Sequence, residues 1–129
     1  MNQLKTTAQR AFDISQKAAR VGFDWNKPED VIDKLYEELG EIKQALQDNA
    51  PIGHLEEEVG DLYFALVNFN RKMHIDSDKA FLAGVTKFER RFRALEDWIH
   101  KSGRQTQDLS QDELEDVWRI VKSGEKNGC

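Results

Sequence analysis

The chain has 129 residues, 33% charged and 39% hydrophobic, a length that suits one domain and a composition polar yet sufficient for a packed core. Its 24 Asp and Glu outnumber 19 Lys and Arg, and the resulting net charge of -5 excludes general affinity for polymeric DNA or RNA. The longest apolar run, Leu62 to Val67, is far short of the roughly 20 residues of a membrane span, so no membrane partner is expected.

No stretch of alternating β-branched residues is long enough for a strand, and the elements read as helices throughout. A first helix is predicted over about Thr6 to Arg20, stopping at Gly22. The aromatic connector Phe23-Asp24-Trp25-Asn26 leads into a second over about Lys27 to Asp48, with Asn26 and Glu29 spaced as a capping box and Pro28 suited to the first turn. Asn49-Ala50-Pro51-Ile52-Gly53 breaks it. A third helix is predicted over about His54 to His74, and Asp76 is placed to cap a fourth from about Ser77 to Ser102. Ser110 and Glu113 form another capping box, for a short fifth helix reaching about Lys122. The expectation is an all-α, four-helix-bundle-like domain over residues 1–122, with 123–129 as a flexible tail. Cys129, the lone cysteine, reads as an exposed thiol of that tail. With no intramolecular disulfide available and no apolar leader behind Met1, a cytoplasmic location is expected.

Helical periodicity places the charges. At about 100° per residue the second helix gathers Val31, Ile32, Leu35, Leu39, Ile42 and Leu46 into one stripe. Relative to Leu35, Glu38 falls at about -60° and Glu41 at about -120°, beside the stripe, whereas Glu37 points away near 200° and reads as solvated. On the third helix the stripe is Leu55, Val59, Leu62, Leu66, Phe69 and Met73; Glu58, Asp61 and Asn68 line its flank at about -40°, -100° and -120°. An antiparallel hairpin can bring Glu38 and Glu41 opposite Glu58 and Asp61. Carboxylates about 5 Å apart repel by about 3 kcal/mol per pair at an effective dielectric of about 20, which a proton or a cation must relieve. An all-oxygen ligand set suits a hard divalent ion, Mg²⁺ first and Mn²⁺ next, and no Glu-x-x-His pair of the di-iron bundles is present. A single Glu-x-x-Glu would ordinarily be a solvated helix face; two such pairs on successive core flanks favour a site.

The fourth helix presents Phe81, Val85, Phe88, Phe92, Leu95 and Ile99 as its stripe, with Arg91 and Lys87 at about -60° and -100° from Phe88. These two cations either offset the acidic flank or, with a metal, bracket a polyphosphate. His54, His74 and His100 fall near helix ends without a partner at metal-ligand spacing and read as caps or solvent contacts. Beyond Leu62 the third helix is apolar almost all round, which calls for cover on more than one side and predicts a homodimer.

The acids occupy Glu37-Glu38-Leu39-Gly40-Glu41 and Glu58-Val59-Gly60-Asp61, joined by Ala19 to Trp25, Leu55 to Asn68, Lys87-Phe88-Glu89-Arg90-Arg91-Phe92 and Glu115-Asp116-Val117-Trp118. Together these motifs resemble the MazG-type, all-α nucleoside triphosphate pyrophosphohydrolases, in particular the C-terminal catalytic domain of bacterial MazG; of the two tandem domains there, one copy is present here. The resemblance implies Mg²⁺-dependent hydrolysis of a nucleoside triphosphate to monophosphate and pyrophosphate, by a dimer. By position it implies Glu38, Glu41, Glu58 and Asp61 as metal ligands, with Glu38 or Glu41 orienting the attacking water. It also implies Lys87 and Arg91 as phosphate contacts, Lys34, Asn68 and Trp118 as lining of the nucleotide pocket, and Trp25 at the base or the dimer contact. The competing readings are a narrower dUTP or dCTP pyrophosphatase of the same superfamily, and a non-catalytic helical dimerisation module whose acidic flank binds a basic partner.

Overall fold

The computed structural model describes residues 4–127. Five α-helices are present among them: α1 (Thr7–Arg20), α2 (Pro28–Gln47), α3 (Ile52–Lys72), α4 (Ser77–Lys101) and α5 (Gln111–Asn127), with a 3-10 turn at Thr106–Asp108 and no strand. None of these helices is long and apolar enough to cross a membrane. The all-α expectation holds.

Local chemistry explains where the helices start and stop. Thr6 Oγ1 accepts from the Gln9 backbone N–H while Gln9 Oε1 accepts from that of Thr6, a reciprocal cap at the start of α1. Gly22, at a φ of +92° that other residues rarely adopt, takes the chain out of α1. The entry to α2 differs by one residue from the sequence expectation: the cap is Lys27, not Asn26, and Asp30 accepts the Lys27 N–H at 3.3 Å, with Pro28 at the first helical position. Helix α3 begins at Ile52, directly after an extended Pro51, and ends before His74, whose φ of 58° is left-handed. Asp76 Oδ1 accepts the Lys79 N–H, and Ser110 and Glu113 exchange both bonds of a capping box.

The C-terminal expectation needs correcting. Ser123 to Asn127, read as part of a tail, continue α5. Gly124 disfavours the helix by about 1 kcal/mol, but Glu125 is tied to Arg90 and Arg91 of α4, which holds this last turn in place. Cys129 lies outside the described residues.

The chain forms two compact units, one up to Ala80 and one from Phe81 onward. In the first, the short Asp48–Pro51 connection returns α3 antiparallel along α2, and α1 lies against α3. Its buried apolar residues are small: Val31 and Ala45 from α2, Ala65 and Val67 from α3. Val31, Glu38 and Ala45 recur every seven residues, so one line down α2 faces inward and carries Glu38 with it. Much of the predicted stripe lies beside that line: Leu39, Leu46, Leu66 and Met73 are exposed. Small side chains on the inward line let the helices pack closely, and the larger ones are displaced to the rim. In the second unit Leu95, Ile99, Val117 and Val121 form a core, with Leu109, Leu114 and Trp118 packed on it. Of the α4 stripe only Leu95 and Ile99 are buried; Phe81, Val85, Phe88 and Phe92 remain exposed.

Candidate functional site

Helices α2 and α3 bring together the four predicted acids. Glu38, Glu41, Glu58 and Asp61 each offer one carboxylate oxygen to a group whose members all lie within 4.8 Å of one another. Glu38 and Glu41 are one turn apart on α2, Glu58 and Asp61 one turn apart on α3, and the antiparallel hairpin sets the two pairs face to face. Burial is graded: Glu38 is buried, Glu58 half-buried, Glu41 and Asp61 exposed.

The electrostatics of this group are only partly balanced. Lys34 Nζ lies 3.1 Å from Glu38 Oε1 and 3.5 Å from Glu37 Oε1, and His54 Nε2 is 3.5 Å from Glu58 Oε1. The second oxygens of Glu38 and Glu58 are buried and have no hydrogen-bond partner among the described residues. The Glu58 carboxyl beside it pushes the Glu41 acid above its ordinary range. Buried acceptors without donors are costly, and four carboxylate oxygens within 4.8 Å of one another could hold a divalent cation. Lys34, predicted for the nucleotide pocket, thus stands directly on the acid group. Glu37 is largely exposed, in line with its outward angle. His54 was expected to meet only solvent or a helix end; its spacing of four residues to Glu58 was the signal that places it at the site.

Asn68 and Trp25 lie in the same unit, at a neighbouring network. Asp24 accepts from both Nη groups of Arg71, at 3.2 and 2.6 Å, from Lys72 Nζ at 2.9 Å and from the Trp25 backbone N–H at 2.8 Å. Arg71 foremost holds the Asp24 carboxyl down at about 2. Arg71 also donates to Asn68 Oδ1, and Asn68 Nδ2 donates to the Phe64 carbonyl, so the Asn68 amide is buried with a fixed orientation. Sequence reasoning missed Asp24, Arg71 and Lys72; the contact spans 47 positions, and helical periodicity carries no information over that range.

Lys87, Arg91 and Trp118 belong to the second unit. Lys87 is exposed, and Arg91 gives its Nε–H to Glu125 Oε2 at 2.7 Å. The Trp118 ring packs 5.3 Å from that of Phe88, which stacks 6.1 Å from Phe92. Trp118 therefore joins the core of this unit on one side and an exposed aromatic surface on the other.

Residues 26–95, more than half of the chain, match the MazG nucleotide pyrophosphohydrolase domain. The chain belongs to the MazG family. The matched segment contains all four acids, Lys34, Asn68, Lys87 and Arg91, while Trp25 and Trp118 lie outside it. Among similar proteins is the nucleoside triphosphate pyrophosphohydrolase/pyrophosphatase MazG of Thermotoga maritima, 36% identical over 126 residues, covering 98% of this chain and 48% of that protein. A nucleoside triphosphate pyrophosphohydrolase of Escherichia coli K12 is 40% identical over 120 residues, covering 90% of this chain and 44% of that protein. The uncharacterized protein YabN of Bacillus subtilis is 35% identical over 78 residues, 60% of this chain and 16% of its own length. The chain thus spans about half the length of the Thermotoga maritima and Escherichia coli relatives, which it matches over most of its own.

Proposed function

We propose that this MazG-family chain hydrolyses nucleoside triphosphates, NTP or dNTP, to the monophosphate and pyrophosphate, as a house-cleaning activity on the nucleotide pool of the cytoplasm. The observation that carries the reading is the four-carboxylate group with two buried, unpartnered oxygens inside the family's matched segment. Glu38, Glu41, Glu58 and Asp61 would hold Mg²⁺, with Mn²⁺ as substitute. Bound there, the ion supplies charge compensation for a phosphoanhydride under attack.

The chain's own residues account for the rest. Glu38 or Glu41 orients a water and takes its proton as the water oxygen attacks the α-phosphorus; the bridging oxygen to the β-phosphorus departs in line, with pyrophosphate. By the family resemblance, Lys87 and Arg91 are assigned to the phosphates, Lys34, Asn68 and Trp118 to the lining of the nucleotide pocket, and Trp25 to the base or the dimer contact. The exposed aromatic and aliphatic faces of α3 and α4, Tyr63, Phe64, Leu66, Phe81 and Phe88 among them, support a homodimer.

The test is a panel of NTPs and dNTPs assayed for pyrophosphate release with and without Mg²⁺. Metal-dependent release across several bases is the expected result; release from dUTP or dCTP alone would replace the broad substrate range with a narrow one. No release from any member, with no thermal shift on adding Mg²⁺, would leave a helical dimerisation module.

A further inference from the structure

Arg90 and Arg91, neighbours on α4, both give their Nε–H to one carboxylate, that of Glu125 near the end of α5: Arg91 to Oε2 at 2.7 Å and Arg90 to Oε1 at 3.2 Å. The two arginines differ in setting, for the Arg90 side chain is 60% exposed while that of Arg91 is 21% exposed, against 25% for Glu125. A guanidinium is a planar fork, and a bond to Nε fixes the plane while leaving the Nη1–Nη2 edge available. No hydrogen bond among the described residues engages Nη1 or Nη2 of Arg91. That edge is the one that grips two oxygens of a phosphate side by side. Arg91, and secondarily Arg90, keep the Glu125 carboxyl below the ordinary glutamate range, so the anchor is charged at neutral pH.

Resting on the assignment of Arg91 to a substrate phosphate, we propose that Glu125 is a positioning residue for the pyrophosphohydrolase reaction. It holds the Arg91 guanidinium by Nε so that the Nη edge is oriented for phosphate before the nucleotide binds. Because a preset guanidinium improves binding rather than chemistry, the effect belongs in KM.

The experiment uses the full chain and the triphosphate that the unaltered protein turns over best. Glu125→Gln should raise KM about tenfold with kcat within about twofold while circular dichroism shows the chain still folded, and Glu125→Asp should recover part of the loss. Arg91→Ala should raise KM at least as far, and adding Glu125→Gln to it should change KM no further. Arg90→Ala should leave KM near that of the unaltered chain. A KM unmoved by Glu125→Gln, with Arg91→Ala still impaired, overturns the proposal but leaves the phosphate role of Arg91 standing. An equal loss from Glu125→Gln with and without Arg91 also overturns it, since the two residues would then act independently. A silent Arg91→Ala removes the phosphate role itself, and the proposal with it.

Discussion

Lys34 Nζ sits 3.1 Å from Glu38 Oε1, one turn back along α2, while Glu38 Oε2 is buried with no hydrogen-bond partner among the described residues. One oxygen of this carboxylate is thus paired within its own helix, and the other has no such compensation among the described residues. Glu38 also keeps Lys34 firmly protonated, pushing its ammonium above the ordinary lysine range. Replacing Lys34 with Met should therefore separate two effects. Mg²⁺ binding without nucleotide, followed by titration calorimetry, should tighten by roughly threefold to tenfold as a competing cation is lost. KM for the triphosphate should rise, since Lys34 is proposed to line the nucleotide pocket. Weaker metal binding in this variant would argue against a cation at Glu38.

Asp61→Ala or Glu38→Ala should lower Mg²⁺-dependent pyrophosphate release by a factor of about 100 or more, the scale on which metal sites contribute to phosphoryl chemistry. Circular dichroism should show helicity retained, since Asp61 is exposed and the Glu38 ion pair with Lys34 lies within α2. Activity surviving in Asp61→Ala would move the site elsewhere.

Adding Mg²⁺ should raise thermal stability by mass action, about 2.7 kcal/mol at one hundred times the dissociation constant. The gain arises because the cation relieves four facing carboxylates in the folded chain and finds no such group in the unfolded one. It should vanish in Glu38→Ala. A melting temperature indifferent to Mg²⁺ in the unaltered protein would contradict a built metal site.

Asp24 makes a pH-dependent contribution whose sign follows from its depressed carboxyl, at about 2. A group lowered on folding stabilises the native state fully above its unfolded value near 4, and that contribution is lost as pH falls toward 2. Asp24→Asn should cost about 2 to 4 kcal/mol at pH 7, the larger figure reflecting the buried Arg71 left with a weaker partner. Urea melts at pH 7, 4 and 2.5 should show the difference between the two proteins shrinking as pH falls. A constant difference would mean that the carboxylate charge contributes nothing beyond shape.

Light scattering should give a mass near twice the 14.9 kDa of one chain at micromolar concentration. Tyr63→Glu together with Leu66→Glu, both exposed on α3 in the single chain, should shift it toward monomer. A monomer mass at every concentration would require another explanation for these open apolar faces.

The helices and the acid pairs are legible along the chain because both are short-range properties. A capping side chain reaches three residues, as Asp76 does to Lys79 and Ser110 to Glu113, and the turn geometry that puts Glu38 with Glu41 and Glu58 with Asp61 is set within four. The short break between α2 and α3 then makes those helices antiparallel neighbours, so the meeting of the two pairs could be foreseen as well.

What periodicity could not decide is how each helix is rotated about its axis. A stripe spanning Leu35 to Leu46 does not say that Val31, Glu38 and Ala45 face inward while Leu39 and Leu46 stay at the rim; close packing of small residues selects that line. Nor could it join Asp24 to Arg71, or Arg91 to Glu125, since such pairs depend on which helices pack and at what height. By itself the sequence determined that the protein is helical and carries two carboxylate pairs on facing flanks. Only the tertiary structure decided which carboxylate oxygens are buried and, among the described residues, without a partner, and which arginines are held in place, because desolvation and ion pairing arise between segments and not along them.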